Sequence, residues 1–221
     1  MALNKLKFNS LNVTPAASEG IRFNSSANGL ETASAGGSIV KIAATTASSS
    51  SSLSFTSGID STYKEYIFFF NNMHPSSASQ FAFNGTDDTS SHSFDITKTT
   101  TLFMAAQRED GGANQFSYQT GSDLAQGTGY QRLANYTTDT AANDSSISGF
   151  LHLFDPSNTT FVKHFIANTS NNNGDGSGGT QWANNSYTAG YFNTTSAITG
   201  LSFKFESGNI DSGTVDLYGV N

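Results

Sequence analysis

The sequence predicts an all-β protein: an antiparallel β-sandwich or barrel over residues 39–221, preceded by an extended N-terminal arm over residues 1–38. Three observations carry this reading. Twelve short runs rich in aromatic or β-branched residues follow one another, bounded by Gly, Asn, Asp, Ser or Pro clusters. Many short strands separated by turn signals are the pattern of a sandwich or barrel. Charged residues make up only 12% of the chain, against about 25% in an average globular protein. Ser, Thr, Asn and Gly replace them, and their short side chains favour turns and strands because they compete with helical backbone hydrogen bonds. Long helical periodicity is absent, and SGIDSTY and SDLAQG are long enough for one turn at most.

A length of 221 residues suits a single all-β domain. Eighteen Phe, eight Tyr and one Trp are the core material, each fully buried large apolar side chain contributing about 1.5–3 kcal/mol.

Residues 1–38 contain short apolar pieces, Leu6–Phe8 and Ile21–Phe23, separated by Asn, Ser, Gly and a Pro. Neither piece is long enough to bury itself. The segment reads either as an arm docking on a partner or neighbouring subunit, with Leu6, Phe8, Ile21 and Phe23 as its contacts, or as a loosely ordered terminus.

From Ile39 the strand runs are SIVKIAA, SSLSF, KEYIFFFNN, SQFAFNG, TTTLFMAA, NQFSYQT, YQRLANY, SISGFLHLF, TTFVKHFIAN, SYTAGYF, LSFKFES and GTVDLYGV. The last two, with the turn-rich patch between them, read as a hairpin.

Strand parity adds a second message. Neighbouring side chains on a strand point to opposite faces. In EYIFFF, Tyr66, Phe68 and Phe70 oppose Ile67 and Phe69. In SGFLHLF, Phe150, His152 and Phe154 oppose Leu151 and Leu153, and in TFVKHFI, Phe161 and Phe165 oppose Val162 and Ile166. An antiparallel sheet with one wet face should instead alternate cleanly. Something must cover the second face, because aromatic patches left bare are sticky. The cover is either another layer of the same chain or another subunit, and copies of the chain are the favoured expectation.

The net charge of −7 argues against nucleic acid or an anionic membrane as partner, since either needs a basic patch. The ten Lys and Arg are scattered. There is no Cys, so neither disulfides nor thiolate metal sites are available. The start of the chain has no continuous apolar h-region, and the longest apolar run, Tyr66–Phe70, is too short to span a bilayer. A soluble protein assembled in a cytoplasm is the expectation.

Local patterns that could carry chemistry do not assemble into a site. In NNNGDGSGGTQW, Asn171, Asn173, Asp175 and Gly176 imitate the start of an EF-hand loop, but the twelfth position, where a bidentate carboxylate is needed, is Trp182. The GDGSGG run at Gly174–Gly179 imitates a protease nucleophile loop, but Ser177 would lack a preorganised oxyanion hole. His74, His92, His152 and His164 have no metal-ligand spacing, and His152 and His164 read as strand residues with structural hydrogen bonds. Asp87–Asp88 and Glu109–Asp110 are adjacent pairs in turn contexts. Sequons at Asn84 and Asn193 are what an Asn- and Thr-rich composition generates by chance. No catalytic residue, metal site or cofactor is expected.

LNVTPAASEGIRFNSSANGLETASAGGSIVKI resembles the N-terminal part of virion structural proteins from tailed phages of marine bacteria, including cyanophages. SSLSFTSGIDSTYKEYIFFFNNMHPSS, GSDLAQGTGYQRL, LHLFDPSNTTFVKHFIANTS, YFNTTSAITGLSFKF and SGNIDSGTVDLYGV resemble recurrent phrases of the same group. The likeness runs over nearly the whole chain and is weakest near Asn171–Gly179. It implies a non-enzymatic virion component with a sandwich of jelly-roll type, assembled in the host cytoplasm and resident in the virion. An oligomeric external appendage, a tail fibre or receptor-binding protein, is the expectation. Its partners would be itself, as a trimer, other virion proteins and a host-surface glycan. Residues 1–38 would attach it to the particle. Sugars stack on Tyr or Trp, so Trp182, Tyr187 and Tyr191 are the candidate receptor-binding residues, with ordinary strand packing as the alternative. A ligand-free capsid decoration protein and a free lectin-like carbohydrate-binding module are the other readings.

Overall fold

The computed structural model describes residues 19–24, 26–34, 38–135, 145–173 and 180–221. Leu6 and Phe8 lie outside the described residues. The chain divides into two compact units, Met1–Val40 and Lys41–Asn221.

In the first unit β1 (Glu19–Phe23) pairs antiparallel with β2 (Leu30–Ser34), with Phe23 opposite Leu30 and Ile21 opposite Thr32. The turn closes through Asn24, whose amide N–H donates to the Gly29 carbonyl at 2.9 Å. Ile21 and Phe23 share one exposed face, Phe23 being 72% accessible. Arg22 and Glu31 pair at 3.0 Å on the opposite face. Separated apolar pieces gave no sign of this local pairing.

The remaining strands are β3 (Ile39–Thr46), β4 (Leu53–Phe55), β5 (Glu65–Pro75), β6 (Phe81–Thr86), β7 (Lys98–Arg108), β8 (Asn114–Tyr118), β9 (Gln131–Arg132), β10 (Ile147–Phe154), β11 (Lys163–Asn173), β12 (Trp182–Phe192), β13 (Gly200–Phe205) and β14 (Ile210–Val220). Each overlaps one of the twelve runs legible in the sequence, although β9 is only Gln131–Arg132 and β11 begins at Lys163, leaving Phe161 and Val162 before it. They build two sheets: eight strands in the order β3-β14-β5-β10-β11-β12-β7-β8, and four in the order β4-β13-β6-β9. The pairings are antiparallel within both sheets. The fold is therefore an all-β sandwich.

The core lies between the layers. The inward set of the large sheet includes Phe68 and Phe70 of β5, Leu151 and Leu153 of β10, Phe165 of β11 and Phe192 of β12. The small sheet answers with Phe55, Phe81, Phe83, Phe203 and Phe205. Phe203 is the hub: its ring centroid lies 5.2 Å from that of Phe68, 5.1 Å from Phe70, and 6.2–6.3 Å from Phe55, Phe81 and Phe83. Two of these pairs are edge-to-face, two stacked and one tilted, and aromatic pairs add about 0.5–1.5 kcal/mol each beyond area burial.

The C-terminal runs differ from the expected hairpin. β13 pairs with β4 and β6 in the small sheet, whereas β14 pairs with β5 in the large one. Gly208, at φ +72°, turns the chain across the core edge in a conformation that costs other residues strain. Phe203 and Phe205 thus approach the core from one layer, and Val215 and Leu217 from the other.

The outer side of β6 is covered as well. Every residue of β6 is buried, and Asn84 fastens the covering segments. Its Nδ2 donates to the carbonyls of Phe94 (2.7 Å), Thr128 (2.9 Å) and Gly129 (3.3 Å). A sequon asparagine held this way is structural.

Candidate functional site

Within the Lys41–Asn221 unit no described strand packs on the outer face of the eight-stranded sheet, and several side chains there are exposed. Alternation decides who they are. On β7, Leu102, Met104 and Ala106 are buried while Phe103, Ala105 and Gln107 point outward; on β12, Ser186 and Thr188 are buried while Tyr187 points outward.

Register aligns these outward positions across strands. Tyr118 of β8 lies opposite Phe103 of β7, Phe103 opposite Tyr187 of β12, and Tyr187 opposite Asn168 of β11. The row continues through Phe150 of β10 and Phe69 of β5 to Asp216 of β14. Six of these seven positions are uncharged and five are aromatic. The ring of Tyr187 stacks on that of Phe103 at 5.1 Å and 10°, and Phe103 meets Phe116 edge-on at 5.8 Å. Phe116, on edge strand β8, is 76% exposed.

The two halves of the face differ electrostatically. On the β14–β5–β10 side the charges are paired. Lys41 meets Asp216 at 3.1 Å, which raises the Lys41 pKa chiefly through their hydrogen bond. His152 Nδ1 sits against the Glu65 carboxylate. Phe69 packs edge-on against Tyr218 at 5.5 Å and Phe150 against His152 at 5.0 Å. On the β11–β12–β7–β8 side no outward-facing Asp, Glu, Lys or Arg occurs among the described strand residues.

Small residues carve two depressions beside the Tyr187–Phe103 ridge. Thr99, Thr101, His164, Ile166, Ala189 and Tyr191 line one of about 470 Å³. The other, about 420 Å³, lies on the opposite flank and is lined by Ala105, Gln107, Asn114, Ser170, Ala183 and Asn185. Their polar groups are held in place. Asn168 and Asn185 exchange side-chain amide bonds at 3.1 and 3.2 Å. Gln107 Nε2 donates to the Arg108 carbonyl at 3.1 Å. Tyr118 donates its hydroxyl proton to Asp123 at 2.6 Å, and that bond raises the Tyr118 pKa.

Of the residues singled out in the sequence, Tyr187 belongs to the ridge and Tyr191 to the first depression, where its ring lies 6.0 Å from His164. Trp182 does not join them. It has the inward parity of β12 and sits opposite Arg108 and Asn173 at the far end of the strand. Ile21 and Phe23 lie on the β1–β2 hairpin. Sequence reasoning missed Phe103, Phe116 and Tyr118. The alternation of Phe116 and Tyr118 around Ser117 was the available signal, but which strand they adjoin is a matter of register.

The rejected motifs are absorbed by structure. Asn171 and Asn173 belong to β11, which continues past the expected end of the strand, and Trp182 begins β12. Asp175, Gly176 and Ser177 lie outside the described residues. His74 approaches Asp211 at 3.6 Å, and His92 Nδ1 lies 3.1 Å from the Asp88 carbonyl oxygen. Among the described residues no three His, Cys, Asp or Glu are grouped so as to hold a metal ion. No family model, curated protein or solved structure matches the chain.

Proposed function

We propose that the chain is a non-enzymatic structural protein of a tailed-phage virion, an oligomeric external appendage of the tail-fibre or receptor-binding kind. The observation that supports this reading is the open outer face of the large sheet. An aromatic row crosses it from β8 to β5, and among the described residues of the Lys41–Asn221 unit the second layer packs on the opposite side. A surface of this kind works by contact, and sheet faces of packed aromatics match the composition of protein interface cores, rich in Tyr and Phe and poor in charge. Copies of the chain meet on the β5–β10 side, where the half-buried Phe69, Phe150 and Phe154 point outward beside ion pairs already satisfied within the subunit. The β12–β7–β8 side is left for an external partner. The resemblance to virion proteins supplies the setting, with the N-terminal segment as the attachment to the particle.

The test is the mass of the full chain by light scattering at micromolar concentration, with antibody labelling of intact particles. Three times the chain mass is expected, falling to one chain mass in Phe150→Ser with an unchanged β-type circular dichroism spectrum. A monomeric wild-type protein, or particles that carry no label, would overturn the reading.

A further inference from the structure

We propose that the ridge of Tyr187, Phe103, Phe116 and Tyr118, with the two depressions flanking it, is a binding platform for neutral polysaccharide. This rests on the reading that the outer face contacts an external partner, and it names that partner's chemistry.

Four observations converge on a sugar rather than another class. First, the platform carries rings but few aliphatic side chains: Ile166 is the only outward Leu, Ile, Val or Met among the described residues of β11, β12, β7 and β8. Tyr187 and Phe103 stack on each other and so cover part of their ring faces, whereas Phe116, 76% exposed, offers its ring to the C–H face of a pyranose; a protein partner would pack on a broader aliphatic surround. Second, the flanking polar groups are amides and hydroxyls, from Gln107, Asn114 and Asn185 on one side and Thr99 and Thr101 on the other. The Nδ2 of Asn185 and the Nε2 of Gln107 are already bonded within the protein, so Asn114 is the amide that both donates to and accepts from a polyol.

Third, no outward Asp, Glu, Lys or Arg occurs among the described residues of these strands, so His164 is the one side chain there able to pair an anionic polymer, and the whole chain, at −7, repels one. Fourth, the dimensions fit. Strands spaced about 4.8 Å apart and rising about 3.3 Å per residue give the ring cluster an area of roughly 200 Å². That is far below the roughly 800 Å² per partner of a stable protein interface. The depressions, at about 470 and 420 Å³, are open to the surface, so an extended polymer can lie across them. A chain laid along β12 would place one unit in each depression and one across the ridge.

The experiment is affinity electrophoresis of the full-length protein through gels containing dextran, laminarin or mannan. Alginate and carrageenan serve as the anionic comparison, and the oligomeric mass of the same sample is measured in parallel. Retardation by at least one neutral polymer is expected. Tyr187→Ala and Phe103→Ala should weaken it at least about tenfold, a loss of about 1.4 kcal/mol, while Tyr187→Phe, which keeps the ring, stays within about twofold. Thermal unfolding of each variant separates lost binding from lost fold. Retardation by no polymer, by the anionic polymers alone, or undiminished retardation of a folded Tyr187→Ala protein would overturn the proposal. An oligomer that binds nothing removes this inference alone, whereas a monomer that binds a neutral polymer keeps it and removes the oligomeric appendage.

Discussion

Lys98 of β7 and Asn84 of β6 join the two layers of the sandwich: the Lys98 Nζ donates to Asn84 Oδ1 at 2.7 Å and to the Ile96 carbonyl at 3.0 Å. The lysine is fully buried, with the Phe192 ring 6.0 Å from its nitrogen and no carboxylate in contact. Burial pushes its pKa down to about 7, and the more distant Asp95 only partly opposes this. An unfolded lysine titrates near 10.4. Between those values the unfolded chain binds more protons, so stability rises with pH from about 7 toward 10 and lies at its lower level below that window. The urea midpoint of the wild type should therefore climb between about pH 7 and 9.5. In Lys98→Met, which keeps the length and removes the charge, this climb should vanish, with stability at pH 6 equal to or above wild type. A wild-type midpoint that falls across the same window would contradict this account of Lys98.

Phe203 concentrates the packing of both layers. Its ring meets rings of two neighbouring strands of its own sheet, β4 and β6, and of β5 in the other, so truncation leaves a cavity that no single neighbour can fill. Phe203→Ala should cost about 3–5 kcal/mol in urea unfolding, the range for large-to-small aromatic changes in a core. Phe161, 69% exposed, is the control, and Phe161→Ala should stay within about 0.5 kcal/mol of wild type. Similar costs for the two would show that the aromatic hub is not where the structure places it.

Much of this architecture was legible because the period of two is local. Phe68 with Phe70, Leu151 with Leu153, and Phe203 with Phe205 announce their strands and their shared faces without reference to any partner. Pairing is not local. Val215 and Leu217 lie opposite Phe70 and Phe68, and nothing in the C-terminal runs distinguishes that arrangement from a hairpin with β13. β11 extends through Asn171–Asn173 because β12 supplies partners as far as Trp182, although the residues themselves look like loop. The candidate site shows the same division. Tyr187 could be found from its own strand, but its stacking on Phe103 depends on a register that a one-residue slip would turn to the opposite face.

Gly149 marks a place where two strands meet too closely for a side chain. A Cβ there would stand 2.2 Å from the Asn168 carbonyl oxygen and 2.7 Å from the Thr169 Cα, both backbone atoms of the adjoining β11. β10 also changes register against β5 at this point. Gly149→Ala must therefore part β10 from β11, and a loss of about 1–3 kcal/mol is expected, the scale of overpacking in a close-packed interior. Hydrogen exchange should localise the damage, with faster exchange in β10 and β11 and unchanged protection in β13. Wild-type stability in this variant would mean that the strands are not so closely apposed.

Trp182 supplies a test of which face is the working one. It is the chain's only tryptophan, and an aromatic side chain beside a polar loop is an obvious candidate for sugar stacking. Its parity on β12 is that of Ser186 and Phe192, both buried, and opposite to that of Tyr187. A ligand lying on the outer face would therefore leave the Trp182 ring on the other side of the sheet. Trp182→Phe should leave polysaccharide retardation within about twofold of wild type, and saturating ligand should shift the tryptophan emission little, whereas Tyr187→Ala should lose binding by about tenfold. Strong quenching of Trp182 by ligand, or loss of binding in a folded Trp182→Phe protein, would move the site to the end of β12 and away from the ridge.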